Sequence, residues 1–519
     1  MKKLTLIITI LTAIGISSCK KGFLDESVNP NAPGTTTLAS SLTSAEKGAA
    51  DIVNGWGSYT LTNWVYSPYA VWGGYWIQNP SGYISDALFT QYSIQTNTLN
   101  FPWTDLYQNL SNINIMQVNS TTVTPNPNYE AIALVLKAYD FEQLVDNYNN
   151  VPYSQAFQGV SNLTPAYDSG ASIYADLIKQ MDNAIKLINT AAAANPDVTP
   201  GSDDIIFQGN MTNWKKFANT MKLRLILRQS NTSGFSAIAA DLASTASEGY
   251  LDGTTQATAQ PGYVLGDAFG GQESPFYLNY GLRPNGSTTL YGNDYYLANQ
   301  FCVNLMNGFS DTSRLIKFYA TVDGSNDPTQ VIGAFNGSTN IPAALSKIGP
   351  GLLNATAPAV LFSGAESLFL QAEAANRGLI SGSAVTYYDA GITASFEALG
   401  LTDAQAAAYY GQPSTQLGAY GDHTILASII VQKYIALNGY GAFEAYNEYR
   451  RTGYPAIPRS QNTAALGSST GGASGIGQLP SRIFYPQIEY STNPAAVAAQ
   501  PAATVENEFT SLIFWAKQY

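Results

Sequence analysis

Residues 172–194, SIYADLIKQMDNAIKLINTAAAA, carry the clearest secondary-structure signal in the chain. Their apolar residues recur in steps of three and four, the spacing that gives an α-helix one apolar face. Polar residues, Lys179 and Lys186 among them, fill the other face. Asn195-Pro196 follows, and because proline disfavours helical geometry in the residue before it, the helix should end there. The stretch predicts an amphipathic helix that packs one side against a core.

Helical patterns continue outward in both directions from this stretch. Residues 129–148 are apolar on more than one side, which is typical of a helix sandwiched between neighbours. Further helices are predicted over residues 106–118, 214–229, 294–307, 359–377, 385–399 and 425–451. Strand signals are few and short. No fixed-period repeat is visible, so the density of helices alone predicts a mainly α fold of stacked helix pairs, a solenoid-like body.

Long stretches with weak helical signals separate these helices, at residues 250–293, 321–358 and 452–508. Loops of this length in a compact protein are usually functional or disordered. The first is rich in aromatic residues, which in a loop have fewer core partners and are therefore candidate ligand contacts. These candidates are Tyr263, Phe269, Phe276, Tyr277, Tyr280 and Tyr291.

A second aromatic concentration lies between residues 56 and 76. Trp72 and Trp76 are four residues apart and would share one face if the segment were helical. Aromatic faces stack well on the C–H faces of sugars, so both residues are candidate ligand contacts. The alternative, which we favour for this segment, is that its aromatic residues pack into the core.

The N-terminus has the features of a secretory signal. Lys2 and Lys3 precede an apolar run over residues 4–16, which is too short to span a bilayer, since a span needs about 20 residues. The run ends in Ile-Ser-Ser before Cys19, which resembles the lipobox of bacterial lipoproteins. Acylation of Cys19 would anchor the chain stably to a membrane. The alternative is an ordinary signal peptide with a chance cysteine.

This interpretation divides the chain into three parts. Residues 1–18 form a lipoprotein signal peptide, and residues 19–45 form the lipid anchor and an extended tether, since the polar stretch after Cys19 contains two prolines. Residues 46–519 form one helical domain with the three long loops as insertions.

The balance of charge excludes several classes of partner and site. Lysine and arginine number 24 against 36 acidic residues, a net charge of −12, which becomes −14 after the two lysines of residues 1–18 are removed. Such a surface repels phosphate backbones, so nucleic acid is not an expected partner. The chain has one histidine, and Cys302 is its only cysteine besides Cys19, which excludes histidine–cysteine zinc sites. No metal and no cofactor are predicted, because no phosphate loop or dinucleotide fingerprint is present.

Catalytic patterns are weak. Glu366 and Glu373 lie seven residues apart on one predicted helix, and paired carboxylates can hydrolyse glycosides. Structural ion pairs are the favoured interpretation for them, as for Arg450 and Arg451 with the nearby glutamates of the same helix. Residues 467–471, GSSTG, fit a hydrolase pattern, but His423 precedes them, whereas the hydrolase order places histidine after serine.

Several motifs, taken in order, resemble one family of proteins. They are CKKGFLD at 19–25, LKAY at 136–139 leading to VPY at 151–153, DIIF at 204–207 with WKKFANT at 214–220, QAEA at 371–374, QKYIAL at 432–437, EAYNEYRRTGYP at 444–455 and RIFYP at 482–486. The set resembles the SusD/RagB-like outer-membrane nutrient-binding lipoproteins, specifically the second SusD-like subfamily. Tyr446 stands where the family normally has tryptophan, and Asn149 and Asn150 stand near a usual glycine.

The resemblance implies a core of four tetratricopeptide-like helix pairs and an irregular ligand-binding part. It implies a lipidated, surface-exposed protein of the outer membrane that captures an oligosaccharide, or in some members a peptide. The ligand would be delivered to a SusC-like TonB-dependent β-barrel transporter, and the protein would not be an enzyme. A surface glycosidase and a transporter lid without ligand affinity of its own remain as alternatives.

Overall fold

The computed structural model describes residues 36–55, 67–80, 87–194, 199–266, 272–283, 285–287, 292–421, 423–466, 479–501 and 508–517. The signal peptide, Cys19, Phe269, Tyr291 and residues 467–471 lie outside these ranges, and the predictions made for them stay predictions. No helix within the described ranges is both long and apolar enough to cross a lipid bilayer.

Helices dominate the described residues, as predicted, and the strands are few and short. The helices are α1 (Leu38–Val53), α2 (Ser67–Trp72), α3 (Ala87–Gln91), α4 (Phe101–Val118), α5 (Pro127–Tyr148), α6 (Gly170–Ala194), α7 (Met211–Arg228), α8 (Phe235–Ala239), α9 (Pro275–Tyr280), α10 (Gly292–Tyr295), α11 (Gln300–Gly308), α12 (Thr312–Phe318), α13 (Gly364–Asn376), α14 (Ala384–Ala398), α15 (Asp403–Tyr410), α16 (Ile425–Ala436), α17 (Ala442–Thr452), α18 (Gln487–Thr492) and α19 (Pro494–Ala498).

The strands form three antiparallel two-stranded sheets that join distant parts of the chain. They are β1 (Trp76–Gln78) with β5 (Tyr296–Ala298), β2 (Val151–Pro152) with β3 (Tyr167–Asp168), and β4 (Ala257–Ala259) with β6 (Ala359–Phe362). In the first sheet Ile77 lies opposite Leu297, so the sheet brings residues 296–298, which follow the predicted 250–293 loop, next to residues 76–78.

The helices pack as consecutive pairs: α4 with α5, α6 with α7, α13 with α14, and α16 with α17. Helix α5 also packs on α6, which joins the first two pairs. The apolar face predicted for residues 172–194 is confirmed, since Ile173, Leu177 and Met181 of α6 are buried. Helix α5 is buried on all sides, as its composition predicted. These helices form the predicted core, and the loops lie around it.

Several predicted boundaries were wrong. Helix α1 begins at Leu38, inside the predicted extended tether, because the Thr37 side chain accepts a hydrogen bond from the Ser40 amide and Leu42 is buried. The predicted helix at 294–307 starts late: Asn299 caps α11, and the residues before it form β5. Residues 359–362 are strand β6 and not helix.

The helix predicted over 425–451 is two helices, with a break around Gly439. Gly439 has a φ of +96°, which residues with a side chain rarely adopt, and a Cβ there would lie 2.8 Å from the Leu352 side chain. Trp72 and Trp76 also do not share a helix face, because Trp72 ends α2 and Trp76 begins β1.

Replacing Ser363 by alanine should lower the free energy of unfolding by about 1 kcal/mol. The Ser363 side chain caps α13 and accepts a hydrogen bond of 3.1 Å from the Glu366 amide. Urea denaturation measures the loss. Ser383→Ala is the matched control, because Ser383 caps α14 through a bond of 3.5 Å and its removal should cost less. Equal losses from the two variants would contradict the prediction.

Candidate functional site

Charged side chains from five helices meet inside the helical core, where an apolar interior would be expected. We call this group the buried ion network. Its members are Glu142 and Asp146 of α5, Arg224 and Arg228 of α7, Glu366 and Glu373 of α13, Lys433 of α16, and Glu444, Glu448 and Arg451 of α17. Spacings of three, four and seven residues place the members from each helix on one face, directed at the same interior volume.

Arg224 is the centre of this network. Its Nε donates to Glu142 Oε1 at 3.0 Å, and its Nη2 pairs with the second oxygen of the same carboxylate. Its Nη1 lies 3.2 Å from Glu366 Oε1 and 3.8 Å from Glu444 Oε2. The guanidinium also lies 4.5 Å from the ring centre of Phe362. One side chain therefore ties α7 to three other helices.

The other cations extend the network to either side. Arg228 pairs with Asp146 at 3.2 Å and with Glu444, and Trp515 Nε1 donates to Asp146 Oδ1 at 2.9 Å. On the far side, Lys433 Nζ lies 3.0 Å from Glu448 Oε1. Arg451 donates to Glu448 Oε2 at 2.9 Å and to Glu373 Oε1 at 2.8 Å. The interpretation of Glu373, Glu448 and Arg451 as structural ion pairs is thus confirmed.

Arg450 does not form the ion pair that its spacing suggested. It donates from Nη1 to the Ser481 carbonyl at 2.6 Å and from Nη2 to the Asn447 amide oxygen. Burial lowers the pKa of its guanidinium, although Tyr69 and Asp146 oppose this effect.

Two of the carboxylates that pair with Arg224, Glu142 and Glu444, differ in acidity. Burial raises the pKa of Glu142 to about 8, although Arg224 opposes this effect. Burial also acts to raise the pKa of Glu444, but Arg224 and Arg228 outweigh it, and the pKa of Glu444 lies below its ordinary value. Glu444 therefore remains an anion and a hydrogen-bond acceptor at neutral pH.

A cavity of about 460 Å³ opens directly above this network, and we call it the central cavity. Arg224, Glu366 and Glu444 line its floor. Its exposed residues, Thr254, Asn354, Pro358 and Ala398, mark the side that faces solvent. Its walls include the rings of Tyr139, Tyr440 and Phe443. The volume lies in the range of small-molecule sites, and a mostly apolar wall with a few polar groups is their usual lining.

A smaller pocket adjoins the central cavity, with Val53 and Tyr440 lining both. We call it the aromatic pocket, because three of the predicted ligand contacts, Trp76, Phe276 and Tyr280, line it together. The ring centre of Trp76 lies 5.2 Å from that of Tyr280, and the ring centre of Phe276 lies 4.6 Å from that of Tyr440. The fold therefore brings together three of the predicted contacts, which come from two distant segments of the chain.

The remaining predicted contacts lie elsewhere. Trp72 is buried in the core, where its ring packs against Tyr69 and its Nε1 donates to the Leu88 carbonyl at 3.2 Å. This position corresponds to the core-packing alternative, as does the burial of Trp76. Tyr263 is also buried, and Tyr277 is half-buried with its hydroxyl group bonded to the Leu282 carbonyl. For these residues a ligand-binding role stays a prediction.

Sequence reasoning missed the central cavity. The sequence predicts Glu366 only as one member of a structural ion pair, and it predicts no role for Tyr440. The available signal was local: Gly439 and Gly441 flank Tyr440, a pattern that interrupts a helix and exposes a ring. The walls of the cavity come from segments separated by up to about 390 residues, from Val53 to Glu444, which no local pattern connects.

Several solved structures share this fold. A SusD homologue from Bacteroides fragilis NCTC 9343 superposes with a TM-score of 0.72 at 23% identity, covering 93% of this chain and 100% of that one. A SusD homologue from Bacteroides thetaiotaomicron VPI-5482 has a TM-score of 0.70 at 19% identity, with coverage of 93% and 100%. A chitin-binding SusD homologue from Flavobacterium johnsoniae has a TM-score of 0.70 at 23% identity, with coverage of 91% and 99%.

At these identities the solved structures establish the fold alone, and no curated protein sequence matches the chain significantly. The family described as "Starch-binding associating with outer membrane" matches residues 30–486, which is most of the chain. The protein therefore belongs to the SusD-like family.

Proposed function

We propose that this protein is a surface-exposed outer-membrane lipoprotein that binds an oligosaccharide and delivers it to a SusC-like TonB-dependent transporter. The observation that carries the proposal is the central cavity, where aromatic walls stand over a floor of charged hydrogen-bonding groups. The membership of the chain in a family described as starch-binding supports the choice of ligand class. Acylation of Cys19 would provide the membrane anchor, in keeping with the association of that family with the outer membrane.

The chemistry of the cavity suits a neutral, hydroxyl-rich ligand. Sugar hydroxyl groups donate hydrogen bonds, and Glu444, whose side chain is 12% exposed, remains an acceptor at neutral pH. Asn354 at the mouth adds an amide group, and Tyr440 and Phe443 supply apolar faces for ring C–H groups. A neutral ligand also fits the electrostatics, because the two carboxylates of the floor are already paired with cations.

The enzymatic alternative has one observation in its favour. Glu366 and Glu444 both line the cavity, and their pKa values are shifted in opposite directions, as in acid–base pairs. Burial raises the pKa of Glu366, although Arg224 opposes this effect. Arg224 contacts both carboxylates, however, and occupies the space that a glycosidic oxygen and a water molecule would need. The arrangement therefore favours binding over hydrolysis.

Replacing Ala398 by tryptophan should weaken oligosaccharide binding by about tenfold or more, since a bulky ring at the mouth would exclude the ligand sterically. Ala398 is exposed, ends α14 and lines the cavity without contributing to the ion network. Isothermal titration calorimetry with maltotriose, cellotriose, xylotriose and triacetylchitotriose measures the effect. Ala407→Trp is the matched control, because Ala407 is exposed on α15 and does not line the cavity.

The same experiment separates the alternatives. Binding without change in the sugar, lost in Ala398→Trp and retained in Ala407→Trp, supports the proposal. Shorter sugars detected by chromatography after incubation would instead favour the glycosidase. No heat with any sugar, together with co-purification of a β-barrel partner, would favour the transporter lid.

A further inference from the structure

Two buried polar atoms, on residues that line the aromatic pocket, have no hydrogen-bond partner among the described residues. They are Nε1 of Trp76 and Oδ1 of Asn54, and both residues line the pocket. Trp76 is 1% exposed and Asn54 is 2% exposed. Leaving a buried polar group unpaired is unfavourable, so an unpaired donor and an unpaired acceptor on two residues of one pocket require an explanation.

The orientation of the Asn54 amide is fixed by its own bonds. Its Nδ2 donates to the Ala50 carbonyl at 2.8 Å and to the Val360 carbonyl at 3.1 Å. Exchanging its nitrogen and oxygen would set the amide oxygen against those two carbonyl oxygens, so Oδ1 must be the atom left without a partner. The unpaired acceptor is therefore a property of this site and not of an arbitrary choice of amide orientation.

Trp76 differs from other buried tryptophans of the chain. The Nε1 groups of Trp72, Trp214 and Trp515 donate to the Leu88 carbonyl, Asp204 and Asp146 at distances between 2.8 and 3.2 Å. Buried indole N–H groups usually find a hydrogen-bond partner. The unpaired N–H of Trp76 therefore indicates that a ligand supplies the acceptor.

One hydroxyl group satisfies both atoms at once, since it accepts from Trp76 Nε1 and donates to Asn54 Oδ1. The aromatic pocket has a volume of about 20 Å³, which holds one oxygen atom but no sugar ring. The hydroxyl group must therefore reach the pocket on an arm that extends from a ring held in the central cavity, across the wall formed by Val53 and Tyr440.

We propose that the aromatic pocket is a specificity subsite for an exocyclic hydroxymethyl group, so that the central cavity selects hexopyranose sugars over pentopyranoses. This inference rests on the proposed binding function and narrows its ligand class. A pentopyranose such as xylose has no carbon beyond the ring and leaves both polar atoms unpaired. We therefore expect pentopyranose ligands to bind more weakly, because a site that forms hydrogen bonds to a hydroxyl group discriminates strongly against a ligand that lacks this group.

The test compares sugars that differ only in this group. Wild-type full-length protein is titrated by calorimetry with cellotriose and xylotriose, and we expect cellotriose to bind about tenfold or more tightly. Trp76→Phe removes the N–H donor and should weaken cellotriose binding by about fivefold to tenfold, leaving xylotriose binding unchanged. Trp214→Phe is the matched control, because Trp214 is equally buried and lines neither the aromatic pocket nor the central cavity. Thermal unfolding of both variants verifies that they fold.

The outcomes separate this inference from the proposed function. Equal binding of cellotriose and xylotriose to the wild type overturns the inference and leaves the function standing. So does a crystal structure of the cellotriose complex in which a water molecule, and not a ligand hydroxyl group, bridges Trp76 and Asn54. If neither these sugars nor maltotriose and triacetylchitotriose bind the wild type, the proposed function itself fails, and this inference with it.

Discussion

Replacing Arg224 by methionine should lower the free energy of unfolding by about 3–5 kcal/mol, the usual cost of removing one partner from a buried ion pair. Methionine keeps much of the apolar length of the side chain but removes every hydrogen bond to Glu142 and Glu366. Glu142 and Glu366 would then both lose their main hydrogen-bonding partner in the interior, although Lys433 remains within 3.7 Å of Glu366. Urea denaturation followed by circular dichroism measures the loss.

Arg377→Met is the matched control. Arg377 also pairs with a glutamate of α13, at 2.9 Å from Glu373, but its side chain is 27% exposed and the remaining glutamate keeps Arg451 as a partner. Its loss should therefore stay below about 1 kcal/mol. A similar loss in both variants would mean that burial does not determine the strength of these pairs, which contradicts the account of the network given above.

The second large effect is the pH dependence of the free energy of unfolding that Asp140 of α5 should cause. Asp140 is fully buried, accepts one hydrogen bond of 2.8 Å from Asn109 Nδ2, and has a second oxygen without a partner among the described residues. Burial raises its pKa to about 8. The folded protein therefore holds a proton on Asp140 between about pH 4 and pH 8, where the unfolded chain has released it.

The direction of the pH effect follows from this difference in bound protons. Because the folded state binds the extra proton, stability falls as pH rises from about 4 to 8, and below that window both states are protonated and the effect vanishes. Asp140→Asn keeps a neutral side chain at every pH, so between pH 4 and pH 8 its free energy of unfolding should fall by about 5 kcal/mol less than that of the wild type. Urea unfolding at pH 4.5, 6 and 8 measures how the free energy of unfolding of the wild type and of the variant changes with pH.

Asp389→Asn provides the comparison for that experiment. Burial raises the pKa of Asp389 as well, but this residue is only half-buried on α14. The free energy of unfolding of Asp389→Asn should therefore change with pH almost as that of the wild type does. Parallel slopes for the wild type and Asp140→Asn would show that the Asp140 carboxyl is ionised in the folded protein.

The helical core was predictable from local pattern, because the burial of one helix face leaves a period of three to four residues in the sequence. Residues 172–194 show this period, and α6 matches them closely. Local patterns failed where a distant segment decides the conformation. Trp76 has helical spacing from Trp72, yet it lies in a strand because residues 296–298 pair with it. The break at Gly439 likewise depends on a close approach to Leu352.

The candidate site was predictable only in part, for the same reason. Composition identified Trp76, Phe276 and Tyr280 as unusual aromatic residues, and the fold brings them together. The unpaired atoms of Trp76 and Asn54 have no counterpart in the sequence, since whether a polar group finds a partner depends on the complete tertiary structure. The sequence correctly predicts that Glu444 is a charged residue on a helix. Its position beneath a cavity depends on the packing of α7, α13 and α17, which no local pattern shows.

The buried ion network has a consequence for how this protein could change over evolutionary time. Repeat proteins usually gain or lose whole units, because each unit contacts only its neighbours. Here Arg224 contacts carboxylates from three different helix pairs. Deletion or duplication of any one pair would therefore leave an unpaired charge in the interior of another. The helix pairs stack as in a repeat protein, but we expect the gain or loss of a whole pair to be destabilising, so that insertions and deletions are tolerated mainly in the loops.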